Sequence, residues 1–114
     1  MIFESLPEFQ KDLKRLLKRF KSLEDDLEIL KKYLNIVPAA SPPISFLMNN
    51  LSQQDEIIKV KKFACKALKG RGANSGIRVI YAFHKIEQKM VFIEIYFKGD
   101  QASEDRSRIR KYYG

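Results

Sequence analysis

Several residue types that carry common chemistries are scarce in this chain. Cys65 is the only cysteine and His84 the only histidine, and there is no tryptophan. A single cysteine excludes an internal disulfide, which fits a reducing cytoplasm. One histidine and one cysteine cannot assemble a zinc site from the usual ligands, so no metal and no small-molecule cofactor are expected. No apolar run approaches the ~20 residues of a membrane span, so no membrane partner is expected either. Met1-Ile2-Phe3-Glu4-Ser5 lacks a positive start and a long apolar stretch. No secretion signal is expected from it, and the localisation expected is cytoplasmic. Acidic residues are also in deficit: 14 carboxylates face 22 lysines and arginines, a formal charge of +8. None falls between Lys59 and Arg78. Such a field favours a polyanion such as nucleic acid, an anionic surface or an acidic protein.

What is present suffices for one domain over 1–114. At 45% hydrophobic, the 114 residues can bury a core. Ser5-Leu6-Pro7-Glu8 has the form of a capping box with proline in the first turn. Phe9, Leu13, Leu16, Leu17 and Phe20 follow at helical spacing, and Leu23, Leu27, Leu30 and Leu34 continue the stripe. A single helix from Leu6 to Leu34 would be ~43 Å long. A domain of this size has a radius of gyration of only ~13 Å. A helical hairpin turning near Lys21-Ser22 is therefore expected, with the stripe packed in the core rather than on a coiled-coil partner. Pro38, Pro42 and Pro43 end the helices. Ile44, Phe46, Leu47, Met48 and Leu51 then form a short helix or packed loop at an edge of the core.

The remainder reads as strands over Ile57–Phe63, Ile77–Phe83 and Met90–Lys98, rich in Val, Ile, Phe and Tyr. A terminal helix is expected over Ala102–Tyr113, with Ser103 as its cap. Alternation puts Val91, Ile93, Ile95 and Phe97 on one face, with Ile77, Val79, Tyr81 and Phe83. The opposite face would carry Lys59, Lys61, Arg78, Glu94, Tyr96 and Lys98, open to solvent. The fold class is α+β: an N-terminal helical hairpin on a small antiparallel sheet, with a short C-terminal helix.

Arg78 is the leading candidate for function, because an arginine inside an apolar strand needs an anion or a carboxylate. It can grip a phosphate through two parallel hydrogen bonds. Lys59, Lys61 and Lys98 add charge, and Tyr96 offers a ring and a hydroxyl. Lys62, Lys66, Lys69 and Arg71 extend the positive surface before Arg78, and Arg106, Arg108 and Arg110 form a second candidate contact with nucleic acid. Gly70-Arg71-Gly72-Ala73-Asn74-Ser75-Gly76 lacks the lysine-serine/threonine pair of a nucleotide loop, and a strand follows it.

Phe9 to Leu16, Ser22 to Leu27, Ile58 to Phe63, Lys69 to Tyr81 and Ile95 to Lys98 together resemble the RelE/ParE superfamily of type II toxin–antitoxin modules, in its HigB-like and RelE-like style. The resemblance implies a ribosome-dependent mRNA endoribonuclease, in which the ribose 2′-hydroxyl attacks the neighbouring phosphate without a metal. By motif it implies catalytic roles for Arg78, Lys59, Lys61 and Lys98. It implies as partners a cognate antitoxin and mRNA on the ribosome. Some members carry a tyrosine or histidine soon after the last basic residue, whereas Gly99 to Asp105 holds neither. Tyr96, Tyr112 or Tyr113 would have to substitute. The alternatives are a ParE-like inhibitor of DNA gyrase that is no nuclease, and a non-catalytic RNA-binding module.

Overall fold

The computed structural model describes residues 1–114. Ile2–Ser5 forms β1, followed by helices α1 (Pro7–Leu17) and α2 (Leu23–Ile36). Strands β2 (Ser45–Leu47), β3 (Glu56–Val60), β4 (Ile77–His84) and β5 (Lys89–Phe97) come next, and α3 (Arg106–Tyr113) ends the chain. The five strands lie in the order β1-β5-β4-β3-β2. β1 runs parallel to β5 and all other pairs are antiparallel, so the sheet is mixed, not antiparallel throughout.

The apolar stripe of the N-terminal half breaks into two helices at 18–22, as compactness requires in a molecule with a radius of gyration of 13.2 Å. The cap of α1 differs from the expected box. Ser5 belongs to β1 and its Oγ accepts from Gln10 Nε2; Leu6 takes the cap position without a side-chain bond, and Pro7 starts the helix. Leu6 N–H meanwhile donates to Phe92 O at 2.9 Å, so the chain enters α1 directly from the sheet. Aromatic contacts tie the helical layer to the strands: Phe9 stacks on Phe92 at 5.3 Å, and Phe20, in the turn between α1 and α2, meets Phe97 at a tilt with 5.1 Å between centroids.

A β-bulge decides which residues share a face. Ile80 pairs with Glu94, but Tyr81 pairs with Phe92, leaving Ile93 without a partner on β4. One extra residue reverses alternation on either side of it. Phe92 therefore joins Tyr81, Val79, Ile95, Ile77 and Phe97 on the helix side. Val91 joins Ala82, Ile80, Glu94, Arg78 and Tyr96 on the other. Simple alternation misplaces Val91, Phe92 and Met90 for this reason.

The second face is not open. Residues 99–113 cross it, and Ile109 of α3 is fully buried with Ile57, Ile80 and Ala82. The result is three layers, with α1 and α2 on one face of the sheet and the C-terminal segment on the other. α3 begins later than expected, and Asp105, not Ser103, caps it through Ser107 N and Arg108 N. β3 likewise stops at Val60, short of Phe63, because Lys61 and Lys62 both donate their N–H groups to Ile44 O instead of continuing beside β4.

Candidate nucleic-acid interface

The site forms where the starts of β4 and of the β3–β4 connection meet the end of β5. Arg78 stands opposite Tyr96 in the ladder. Its Nη1 donates to Lys61 O at 3.1 Å and, more weakly, to Ile77 O at 3.5 Å. Neither contact neutralises the guanidinium, and no carboxylate pairs with it, which leaves the other N–H groups free for an anion. Gly76 precedes β4 with φ +86, a left-handed conformation that L side chains rarely adopt. A Cβ there would also come within 3.2 Å of the Phe97 ring. Its carbonyl accepts from Lys98 N at 2.8 Å, which brings Lys98 beside Arg78.

Lys61, Lys62, Arg78 and Lys98 line one cleft of about 440 Å³, with Pro43, Phe46, Asn74 and Gly76. No carboxylate lines it. Lys62 Nζ donates to Asn74 Oδ1 at 3.0 Å. Lys61 Nζ lies 4.9 Å from the centroid of the Phe46 ring. Phe46 and Asn74 are the residues sequence reasoning missed. β2 supplies Phe46 to this face by pairing it with Lys59, but a three-residue strand leaves too short an alternation to reveal its direction in sequence. Asn74 is positioned by the bridge between Phe63 and Asn74, another pairing without a sequence signal.

The structure does not bring Lys59 and Tyr96 into this cleft. Lys59 shares the parity of Arg78, but its Nζ donates to Glu104 Oε1 at 2.7 Å beneath the C-terminal segment. Burial lowers the Lys59 pKa, yet the hydrogen bonds to Glu104 and Tyr96 outweigh that effect and the net shift is upward. Glu104 is opposed by its own burial but held below the usual carboxylate range by the Lys59 ammonium. A lysine stabilised as a cation is poorly suited to accept a proton. Tyr96 is 2% exposed and stacks on nothing from solvent. Glu94, on the same face, accepts from Asp105 N at 2.8 Å and Gln101 Nε2 at 2.9 Å, and burial raises its pKa. It anchors the covering segment and does not touch Arg78.

The flanking cations divide in the same way. Lys66, Lys69 and Arg71 are exposed on the connection between β3 and β4. That connection is tied to α2, since Lys66 N donates to Asp26 at 3.2 Å and Ala67 N to Ser22 Oγ at 2.8 Å. Cys65 is buried within it, and burial pushes the thiol pKa up, in keeping with a packing role. Arg110 is exposed, and Arg106 pairs with Glu104 at 3.0 Å. Arg108 is no surface contact: it binds Asp12 Oδ2 at 2.7 Å and Ile93 O at 2.8 Å. His84 ends β4, six residues and about 20 Å along the strand from Arg78. Tyr112 and Tyr113 lie at that same far end, bonded to Glu8 and His84. Neither reaches the cleft. Comparison with protein-family models and with curated proteins finds no match to this chain.

Proposed function

We propose that this chain is a toxin of the RelE/ParE type that binds mRNA on the ribosome and cuts it at a phosphate held by Arg78. One observation carries the reading: four cations, Lys61, Lys62, Arg78 and Lys98, converge on a cleft that no carboxylate lines. Arg78 is the grip, fixed by the Lys61 carbonyl with further N–H groups free. Phe46 offers a ring at the rim for a base, and Asn74 a hydrogen-bonding amide. The 2′-oxygen attacks the adjacent phosphorus, a 2′,3′-cyclic phosphate forms, and the bond to the 5′-oxygen breaks. The 2′-hydroxyl proton is lost and the 5′-oxygen gains one. Among side chains lining the cleft, only Lys61, Lys62 and Lys98 can exchange that proton. Charge on the crowded phosphate is stabilised by Arg78, a contact of a kind worth ~3 kcal/mol or a hundredfold in rate. The expected protein partner is an antitoxin that covers the positive cleft with acidic side chains.

The test is brief induction of the full chain, followed by mapping of transcript 5′ ends. New ends within coding regions, absent for Arg78→Ala, are expected. Growth arrest at full strength by the Arg78→Ala variant overturns the assignment.

A specific observation favours a second reading. Tyr96 is buried and Lys59 is tied to Glu104 of the covering segment, and no histidine or tyrosine lines the cleft. A protein so built can bind a polyanion or an acidic partner without cutting it, as a ParE-like inhibitor of gyrase would. Induced cells would then show DNA damage with intact transcripts.

A further inference from the structure

Far from the cationic cleft, the structure gathers one histidine and two carboxylates. Extending the β3–β4 register by one step sets Asp55 opposite His84, so both side chains leave the sheet on one face. The turn from Lys85 to Gln88, with Gln88 at φ 53, curls Glu87 back over the end of β4. His84 Nδ1 lies 3.5 Å from Asp55 Oδ1 and 3.4 Å from Glu87 Oε2. The three ligand atoms all fall within 4.8 Å of one another.

Those separations discriminate between two explanations. A charge-assisted hydrogen bond from an imidazole to a carboxylate is about 2.7–2.9 Å long. Both contacts are well beyond that. Ligand atoms bound tetrahedrally at about 2.0–2.1 Å from a zinc-sized ion are about 3.3–3.4 Å apart. The two histidine–carboxylate spacings match this edge, not the hydrogen bond, and the two carboxylate oxygens lie within 4.8 Å of each other.

The outer shell supports the same reading. His84 Nε2 lies 2.8 Å from Tyr113 Oη. An imidazole whose Nε2–H donates to that oxygen presents the lone pair of Nδ1 to the two carboxylates. Fixing the second ring nitrogen in this way is how proteins orient a metal-binding histidine. His84 and Asp55 are mostly enclosed, at 15% and 22% side-chain exposure. A cleft of about 440 Å³ opens beside them, bounded by Ser52, Gln53, Gln54 and Tyr113, with room for a water as fourth ligand.

We propose that Asp55 Oδ1, His84 Nδ1 and Glu87 Oε2 form a binding site for one divalent transition-metal ion of the size and geometry of Zn²⁺. The ion would join the loop before β3, the end of β4 and the β4–β5 turn, and through Tyr113 the last turn of α3. The site is independent of the phosphate cleft, so its failure leaves the reading of Arg78 untouched.

Titration of the metal-free full chain with Zn²⁺ by calorimetry, and with Co²⁺ by visible absorption, tests the proposal. One ion per chain is expected, with the strong visible bands of tetrahedral Co²⁺ and a melting temperature that rises with Zn²⁺. His84→Ala should weaken binding at least a hundredfold. Glu87→Gln, at a 60% exposed position that tolerates change, should weaken it about tenfold without altering the metal-free melting temperature. Tyr113→Phe should weaken it tenfold or more through loss of ring orientation. No saturable binding below millimolar Zn²⁺ overturns the site. Equal affinity in wild type and in the Asp55→Asn, Glu87→Gln double variant overturns it as well, because the ion would then sit elsewhere.

Discussion

Arg108 reaches round the free edge of β5 to Asp12, joining the helix on one face of the sheet to the helix on the other. Its Nη1 donates to Asp12 Oδ2 at 2.7 Å and to Ile93 O at 2.8 Å. Asp12 in turn accepts from Ile95 N at 3.3 Å. β1 pairs with β5 only from Lys89 to Phe92, so these two side chains satisfy the ladder groups that β1 leaves unpaired. Both are mostly buried, at 14% and 6% side-chain exposure. Removing one partner from such a pair strands a buried charge, at a cost of about 3–5 kcal/mol. Asp12→Ala and Arg108→Ala should each destabilise by that amount in urea. The double variant should lose less than the sum, a coupling that a double-mutant cycle measures. Additive losses would show that the two residues act separately.

The cationic cleft predicts a salt dependence. A single strand releases counterions with a slope near −0.7 per neutralised phosphate, so four contacts give about −2.8 in log K against log salt. Lys98→Ala should reduce the slope by about 0.7 and weaken binding uniformly across sequences. Lys59→Met should leave the slope unchanged, because Lys59 faces Glu104 and not the cleft. Fluorescence anisotropy with a labelled oligoribonucleotide between 50 and 300 mM salt (about a sixfold range) reads both. An equal loss of slope in the two variants would return Lys59 to the binding surface.

The helical hairpin was legible because the stripe of Phe9, Leu16, Leu23, Leu27, Leu30 and Leu34 is long and keeps its phase. Strands β4 and β5 were legible from their β-branched and aromatic runs. Three features were not. β1 and β2 are four and three residues long, too short for a period to emerge. The bulge at Ile93 has no glycine or other marker, so alternation carried through it gives the wrong face for Val91, Phe92 and Met90. Asp12 and Arg108 have the composition of solvated helix faces, and only the edge of β5 gives them their burial. Arg78 and Lys98 came together because both lie beyond the bulge, where the parity of β4 and β5 agrees with the simple count, and Lys61 follows β3, whose pairing with β4 has no bulge.

The covering of the second face depends on Ile109. It is fully buried, and the rest of α3 is mainly polar or charged. Ile109→Ala removes most of the apolar anchor, and large-to-small changes at such positions cost about 2–5 kcal/mol. If the segment detaches locally, Tyr96 and Lys59 become accessible while the N-terminal layer stays folded. Hydrogen exchange should then quicken from Gln101 to Gly114 well before β4 and β5. Uniform quickening along the chain would instead mark α3 as part of one cooperative unit.

Lys59 and Glu104 give a pH signature. Glu104 has its pKa lowered from 4.5 in the native protein, with burial opposing and the Lys59 ammonium favouring the carboxylate. A lowered native pKa means that the stabilisation is complete above 4.5 and is lost as pH falls through the depressed value. Lys59 has its pKa raised from 10.5, so its share is complete below 10.5 and is lost as pH rises through the elevated value. The pair therefore contributes fully across the neutral range and fades at both extremes. Glu94 behaves oppositely in acid: burial raises its native pKa, which favours the folded state below 4.5 and withdraws that stabilisation as pH rises through the native value. The wild-type curve alone mixes the two, so the difference between wild type and Glu104→Gln isolates Glu104 with its partners, Lys59 foremost and the exposed Arg106 beside it. A charged hydrogen bond of this kind is worth about 1.5–3 kcal/mol. A gap of that size is expected at neutral pH, shrinking towards zero in acid. Urea midpoints collected from neutral to strongly acidic buffers measure it, and a gap that stays constant through the titration of Glu104 would mean that the carboxylate acts only as a hydrogen-bond acceptor.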